Sequence, residues 1–141
     1  MRYYLLLSLV LLVSACGKPT GKVIAKIPEA SGIDYCTHDD TLIVANDEGT
    51  YYKIDRKGKI LRKNKLGKYD LEGVVCEENE ILFAVENKGL LSVDTKTGEK
   101  KSIVLDTFYN GKKLPLFHKK SGVEGIAKSG NIVYLAKQSD K

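Results

Sequence analysis

Glu72-Gly73-Val74-Val75-Cys76, followed by Glu80-Ile81-Leu82-Phe83-Ala84-Val85 and Glu86-Asn87-Lys88-Gly89, is the stretch on which the fold turns. A short apolar run opens on a glycine, a second run follows a polar break, and a polar group ending in glycine closes it, as in a hairpin. The same order stands upstream, where Ser31-Gly32-Ile33-Asp34-Tyr35-Cys36 leads to Thr41-Leu42-Ile43-Val44-Ala45 and the turn Asn46-Asp47-Glu48-Gly49. Downstream, Glu124-Gly125-Ile126-Ala127 leads to Asn131-Ile132-Val133-Tyr134-Leu135-Ala136. Gly32 to Gly73 is 41 residues and Gly73 to Gly125 is 52, the second interval being longer because of a segment around Asp106 to Lys120.

Each full repeat continues with a third alternating run, Tyr51 to Asp55 or Leu90 to Asp94. A turn then carries Asp and Gly (Asp55-Arg56-Lys57-Gly58, Asp94-Thr95-Lys96-Thr97-Gly98), and a fourth run lies near Lys59 to Leu66 or Lys100 to Leu105. Glycine supplies the positive φ of such turns, and the preceding Asp can bond its own turn. After the leader, no apolar pattern recurs at i, i+3, i+4, i+7 for three turns, so helices are not expected. The fold class is all-β: four short antiparallel strands per unit of about 40 to 50 residues make the blade of a β-propeller. Blades are expected near residues 31–66, 71–105 and 122–141, about two and a half in all. A β-sandwich would show similar strands but not the recurring glycine opening.

The order Glu29-Ala30-Ser31-Gly32-Ile33, Asn46-Asp47-Glu48-Gly49, Asp70-Leu71-Glu72-Gly73-Val74 and Gly122-Val123-Glu124-Gly125-Ile126-Ala127 resembles the bacterial SdiA-regulated family, itself similar to esterase-like phytase propellers. The resemblance runs from about Pro28 to Lys137. It implies a six-bladed propeller, often exported, with no established substrate and with calcium associated with the central channel. Closed propellers have at least about four blades. The expectation is therefore that residues 28–141 are the N-terminal part of a longer propeller or a truncated reading frame.

The N-terminus points to export. Arg2 precedes an apolar run from Leu5 to Val13, broken only by Ser8, and Ser14 and Ala15 stand just before Cys16. A helix of that length rises about 14 Å, short of the roughly 30 Å of a bilayer core, so the run reads as a signal segment and not a span. Val13-Ser14-Ala15-Cys16 resembles the lipobox of bacterial lipoproteins, which implies removal of residues 1–15 and acylation of Cys16; ordinary secretory cleavage is the alternative. Residues 16–27 then form a Gly/Lys/Pro/Thr tether, and several acyl chains give lasting membrane anchorage. By analogy with enteric lipoproteins, Gly17 in place of Asp after the lipidated residue favours the outer membrane facing the periplasm over the inner membrane. Setting Cys16 aside leaves Cys36 and Cys76 at similar points of the repeat. Two small, buried, reduced cysteines are the expectation and a disulfide the alternative.

Candidate functional residues cluster at the blade openings. The first strand of each propeller blade lines the central channel, which brings Ser31, Glu72 and Glu124 to one mouth. Glu72 and Glu124 are the candidate metal ligands, since oxygens there suit Ca²⁺, which takes six to eight of them at about 2.3–2.6 Å. The same groups also suit a cationic ligand, or serve only to cap strands by bonding a neighbouring blade. Asp47, Glu48 and Glu86 follow the second strands as an acidic rim or as solvated turns. Seven basic residues and no acid lie between Arg56 and Lys68. They are read as a guard on an outer edge strand, with attraction to anionic lipid headgroups as the alternative.

Other chemistry is excluded by what is missing. The 141 residues carry 23 Lys and Arg against 18 Asp and Glu, a charge of +5 too mild to point to nucleic acid. His38 and His118 stand alone, and no Gly-x-Ser-x-Gly elbow, phosphate loop or Cys-x-x-Cys is present. No catalytic constellation assembles. The first functional reading is a membrane-anchored, non-enzymatic binding or scaffolding module of the cell envelope, with an unidentified protein or small molecule as ligand. The alternative is a calcium-dependent, phytase-like or esterase-like hydrolase.

Overall fold

A computed structural model describes residues 21–105, 108–113 and 122–138. Twelve strands and no helix occur among them. β1 (Ala30–Cys36), β2 (Thr41–Asn46), β3 (Thr50–Asp55) and β4 (Ile60–Lys65) form one antiparallel sheet in chain order. β5 (Leu71–Cys76), β6 (Glu80–Val85), β7 (Gly89–Asp94) and β8 (Lys100–Ile103) form a second sheet of the same plan. β9 (Phe108–Tyr109) pairs with β10 (Lys112–Lys113), and β11 (Val123–Ser129) pairs with β12 (Ile132–Lys137) as the described part of a third blade. The chain is all-β and built of propeller blades.

Local chemistry explains the hairpins. Asp55 Oδ1 accepts the N–H groups of Lys57 and Lys59, each at 2.9 Å, and Asp94 Oδ1 accepts those of Lys96 at 2.8 Å and Thr97 at 2.7 Å. These backbone donors hold both carboxyls below the usual carboxylate range. Gly49 adopts φ 80° at the β2–β3 turn, and the carbonyl of Gly67 fills the space where a side chain would stand.

The sheets stack face to face. Ile43, Ala45 and Tyr51 of the first blade meet Ile81, Phe83, Leu91 and Val93 of the second in one buried cluster, with the Tyr51 and Phe83 rings 5.4 Å apart. The alternate residues Leu82, Ala84 and Leu90 face the other way, against Val123, Ile126, Val133 and Leu135. β6 is therefore buried on both faces, which is why Ile81 to Val85 is a continuous apolar run and not an alternating one. Each such side chain contributes roughly 1.5–3 kcal/mol when fully buried. On the far side of the first blade, Val44, Tyr52 and Ile54 are covered by Ala25 and Ile27 from the segment that precedes β1.

The recurring glycines lie where neighbouring inner strands touch. A Cβ on Gly32 would stand 2.8 Å from the Glu72 carbonyl and 2.9 Å from Gly73 Cα; one on Gly73 would stand 2.9 Å from Ile126 Cγ2 and 3.0 Å from Ile126 N. Glycine is required at both by close approach of backbone to backbone, not by its dihedral freedom.

The structure corrects the expectation of two reduced cysteines. Cys36 ends β1 and Cys76 ends β5, so their equivalence in the repeat brings the Cα atoms to 5.3 Å, and the two form a disulfide across the blade interface. That separation lies inside the range of about 4.4–6.8 Å that a disulfide spans. Nearby, Cys76 N donates to Asp34 Oδ2 at 2.8 Å and Lys100 Nζ donates to the Leu66 carbonyl at 2.8 Å, both between the same two blades.

Two outcomes are expected. Gly73→Ala should destabilise by about 1–3 kcal/mol through overpacking, whereas Gly125→Ala, whose Cβ would meet only Ala136 Cβ at 3.4 Å, should cost far less; thermal melts compare them. Replacing both cysteines by serine should lower stability by about 4 kcal/mol, the chain-entropy value for a closed loop of 40 residues, measured by urea unfolding.

Candidate functional site

The inner strands carry the same irregularity in all three blades. Pairing skips between Ala30 and Gly32, between Leu71 and Gly73, and between Val123 and Gly125. The skipped residues are Ser31, Glu72 and Glu124. Each is the extra residue of a β-bulge, a device that bends the strand and re-aims a side chain. The residues chosen from the sequence thus occupy one structural position, repeated from blade to blade.

The positions flanking each bulge repeat as well. Asp47 N donates to the Glu29 carbonyl at 3.1 Å, Glu86 N to that of Asp70 at 3.0 Å, and Gln138 N to that of Gly122 at 3.1 Å. Each blade therefore presents three residues at its inner end: Glu29, Ser31 and Asp47 in the first; Asp70, Glu72 and Glu86 in the second; Gly122, Glu124 and Gln138 in the third. Only the second blade is acidic at all three. Its carboxylates offer one oxygen each, all within 4.8 Å of one another.

Crowding sets the charge state. The Glu72 carboxyl is pushed up to about 7, first by burial, then by the charges of Glu124 and Asp70. Glu86 is raised as well, chiefly because its carboxyl hydrogen-bonds that of Asp70, so the pair is stable when one carboxyl keeps a proton. Asn87 Nδ2 donates to Glu86 Oε2 at 2.9 Å. Asp70 is the member that the sequence reading missed; the signal was its place two residues before Glu72, matching Glu29 before Ser31.

The other candidates separate. The Ser31 hydroxyl donates to the Leu71 carbonyl of the next blade, so that side chain ties two blades together. Asp47 and Glu48 line an open groove of about 440 Å³ with Lys68 and Tyr69, which meets the carboxylate cluster at Asp70. Asp47 Oδ1 is buried there without a hydrogen-bond partner, while Glu48 is exposed. Cys16 and His118 lie outside the described residues.

An all-oxygen set of this kind suits a hard divalent cation or a shared proton. The SdiA-regulated family model matches residues 18–139. The chain belongs to the SdiA-regulated family. No curated protein matches it. Among solved structures, the SdiA-regulated chain is similar to two computationally designed proteins. Ika4 is 12% identical at a TM-score of 0.48, with 84% of this chain and 98% of that one covered. Ika8 is 13% identical at a TM-score of 0.48, with 83% of this chain and 46% of that one covered.

The raised Glu72 carboxyl gives a signed expectation. Its folded form keeps a proton that the unfolded chain loses at a lower pH, so stability falls as pH rises from the unfolded value of 4.5 to about 7. With a chelator present, Glu72→Gln should melt higher than the parent at pH 8, and the gap should narrow as pH falls and close below the unfolded value of 4.5 on parallel thermal scans.

Proposed function

We propose that this SdiA-regulated chain is an exported, lipid-anchored propeller of the bacterial envelope that acts by binding, not by catalysis, and that it takes Ca²⁺ at the mouth of its second blade. The observation that carries the calcium reading is the meeting of Asp70, Glu72 and Glu86 oxygens within 4.8 Å. These three carboxylates supply three to six of the six to eight oxygens that Ca²⁺ prefers, and water or an anionic group of a ligand completes the shell. Glu124, whose charge acts on Glu72, adds attraction for a cation. The anchor rests on the lipobox-like Val13 to Cys16, and the outer-membrane destination on Gly17.

Calcium should raise the melting temperature of the parent protein, corresponding to about 2.7 kcal/mol at 100 times the dissociation constant. Glu72→Gln with Glu86→Gln should abolish that response and Glu48→Gln should keep it; a parent protein indifferent to calcium defeats the reading. Cys16→Ala should move the protein from the membrane to the soluble fraction on cell fractionation, and unchanged partitioning removes the anchor.

The near-neutral Glu72 carboxyl favours one second reading, a calcium-dependent hydrolase in which that group moves a proton. Calcium-dependent turnover of phosphate or carboxylate esters, lost in Glu72→Gln, would establish it in place of the binding module.

A further inference from the structure

The outer half of the interface between the first two blades is built differently from its inner half. Near the axis the sheets close on Ile43, Ala45, Phe83 and the disulfide. Further out, the interface opens into a cleft of about 250 Å³ between β4 and the β7–β8 turn. A second cavity of about 320 Å³ adjoins it, sharing Tyr51, Arg62, Thr95 and Lys96. Register explains which side chains face the cleft. Asn64 pairs with Tyr51, whose ring lies in the inter-blade core, and Arg62 lies two residues before Asn64 on the same face. Lys63 points to the opposite face, where its ammonium lies 5.5 Å from the centre of the Tyr52 ring.

Three features of this cleft ask for an anion. Asn64 Nδ2 is buried among its walls with no acceptor, a costly state for a donor. Arg62 makes no salt bridge among the described residues, Lys96 acts only on Asp94 of its own turn, and Lys100 is held in place by its bond to the Leu66 carbonyl. Asp94, which lines this cleft, is already committed to the N–H groups of its own turn, and Glu78 lines the adjoining cavity. The charged residues of β4 are exposed, as on a guarded sheet edge, yet an arginine and an amide from the first blade and two lysines from the second line one cleft. Donors arriving from several directions match the three terminal oxygens of a phosphoryl group better than the two of a carboxylate.

We propose that the cleft between the first two blades, with Arg62, Asn64, Lys96 and Lys100 as donors, is a binding site for a phosphoryl group, supplied by an anionic lipid headgroup or by a soluble phosphate. It is separate from the carboxylates at the inner ends of the strands and does not depend on calcium.

The test uses the full chain carrying Cys16→Ala, so that no acyl anchor contributes, with circular dichroism to confirm that each variant is folded. Inorganic phosphate is titrated while the Asn64 side-chain amide and the Arg62 Nε–H are followed by NMR; flotation with phosphatidylglycerol vesicles, against phosphatidylcholine vesicles, is the second arm. A saturable shift at both groups assigns soluble phosphate. Flotation specific to phosphatidylglycerol, without that shift, assigns the headgroup. In either case Arg62→Gln should weaken binding at least tenfold, Arg62→Lys should restore only part of it, and Lys63→Gln should leave it unchanged. Silence in both arms overturns the proposal, as does an equal loss in Lys63→Gln, which would mark general charge attraction.

Discussion

The contact of backbone with backbone at the blade openings is what the rest of the structure depends on. Gly32 lies against Glu72 and Gly73, and Gly73 against Ile126, at distances that leave no room for a Cβ. Because the inner strands come this close, the sheets behind them press Ile43 and Tyr51 onto Phe83 and Leu91, and Leu82 and Ala84 onto Val123. The same approach brings Cys36 within bonding reach of Cys76 and the Ser31 hydroxyl onto the Leu71 carbonyl. The lateral space at the openings is filled by backbone, which the Ser31 hydroxyl meets at the Leu71 carbonyl.

That geometry accounts for the chemistry of the two sites. At the inner ends, bulges turn Glu72 and Glu124 toward a common region, and the same crowding that makes glycine necessary keeps carboxylates near one another and short of water. At the outer ends the sheets diverge, apolar contact gives way to Arg62, Asn64 and Lys100, and polar groups line a gap. One wedge-shaped interface thus yields an acidic inner edge and a basic outer one.

Much of this was legible in the sequence. The four runs per repeat, the Asp and Gly turns and the equivalence of Ser31, Glu72 and Glu124 are local patterns, and local patterns survive without coordinates. What stayed hidden depends on pairing between segments. A bulge is a mismatch between two strands, so nothing in Leu71-Glu72-Gly73 alone announces it. Asp70 joins Glu72 and Glu86 only because the β5–β6 hairpin returns Glu86 to its start. The disulfide needed a distance across blades, and two similar repeat positions give no distance. Arg62 and Asn64 looked like members of a basic run until the register of β4 on β3 separated them from Lys63.

The strand order carries a consequence for folding kinetics. In both four-stranded sheets every pairing joins chain neighbours, so each blade can zip from turns outward, with hairpins forming on a scale of about 1–10 μs. Docking of β1 on β5 closes a far longer loop and is the slower event. The thiols of Cys36 and Cys76, 40 residues apart, meet only when that docking has happened. Oxidation then acts as a ratchet on assembly: it records a correct encounter of two blades, with Cys36 fully buried and Cys76 partly buried in the docked state.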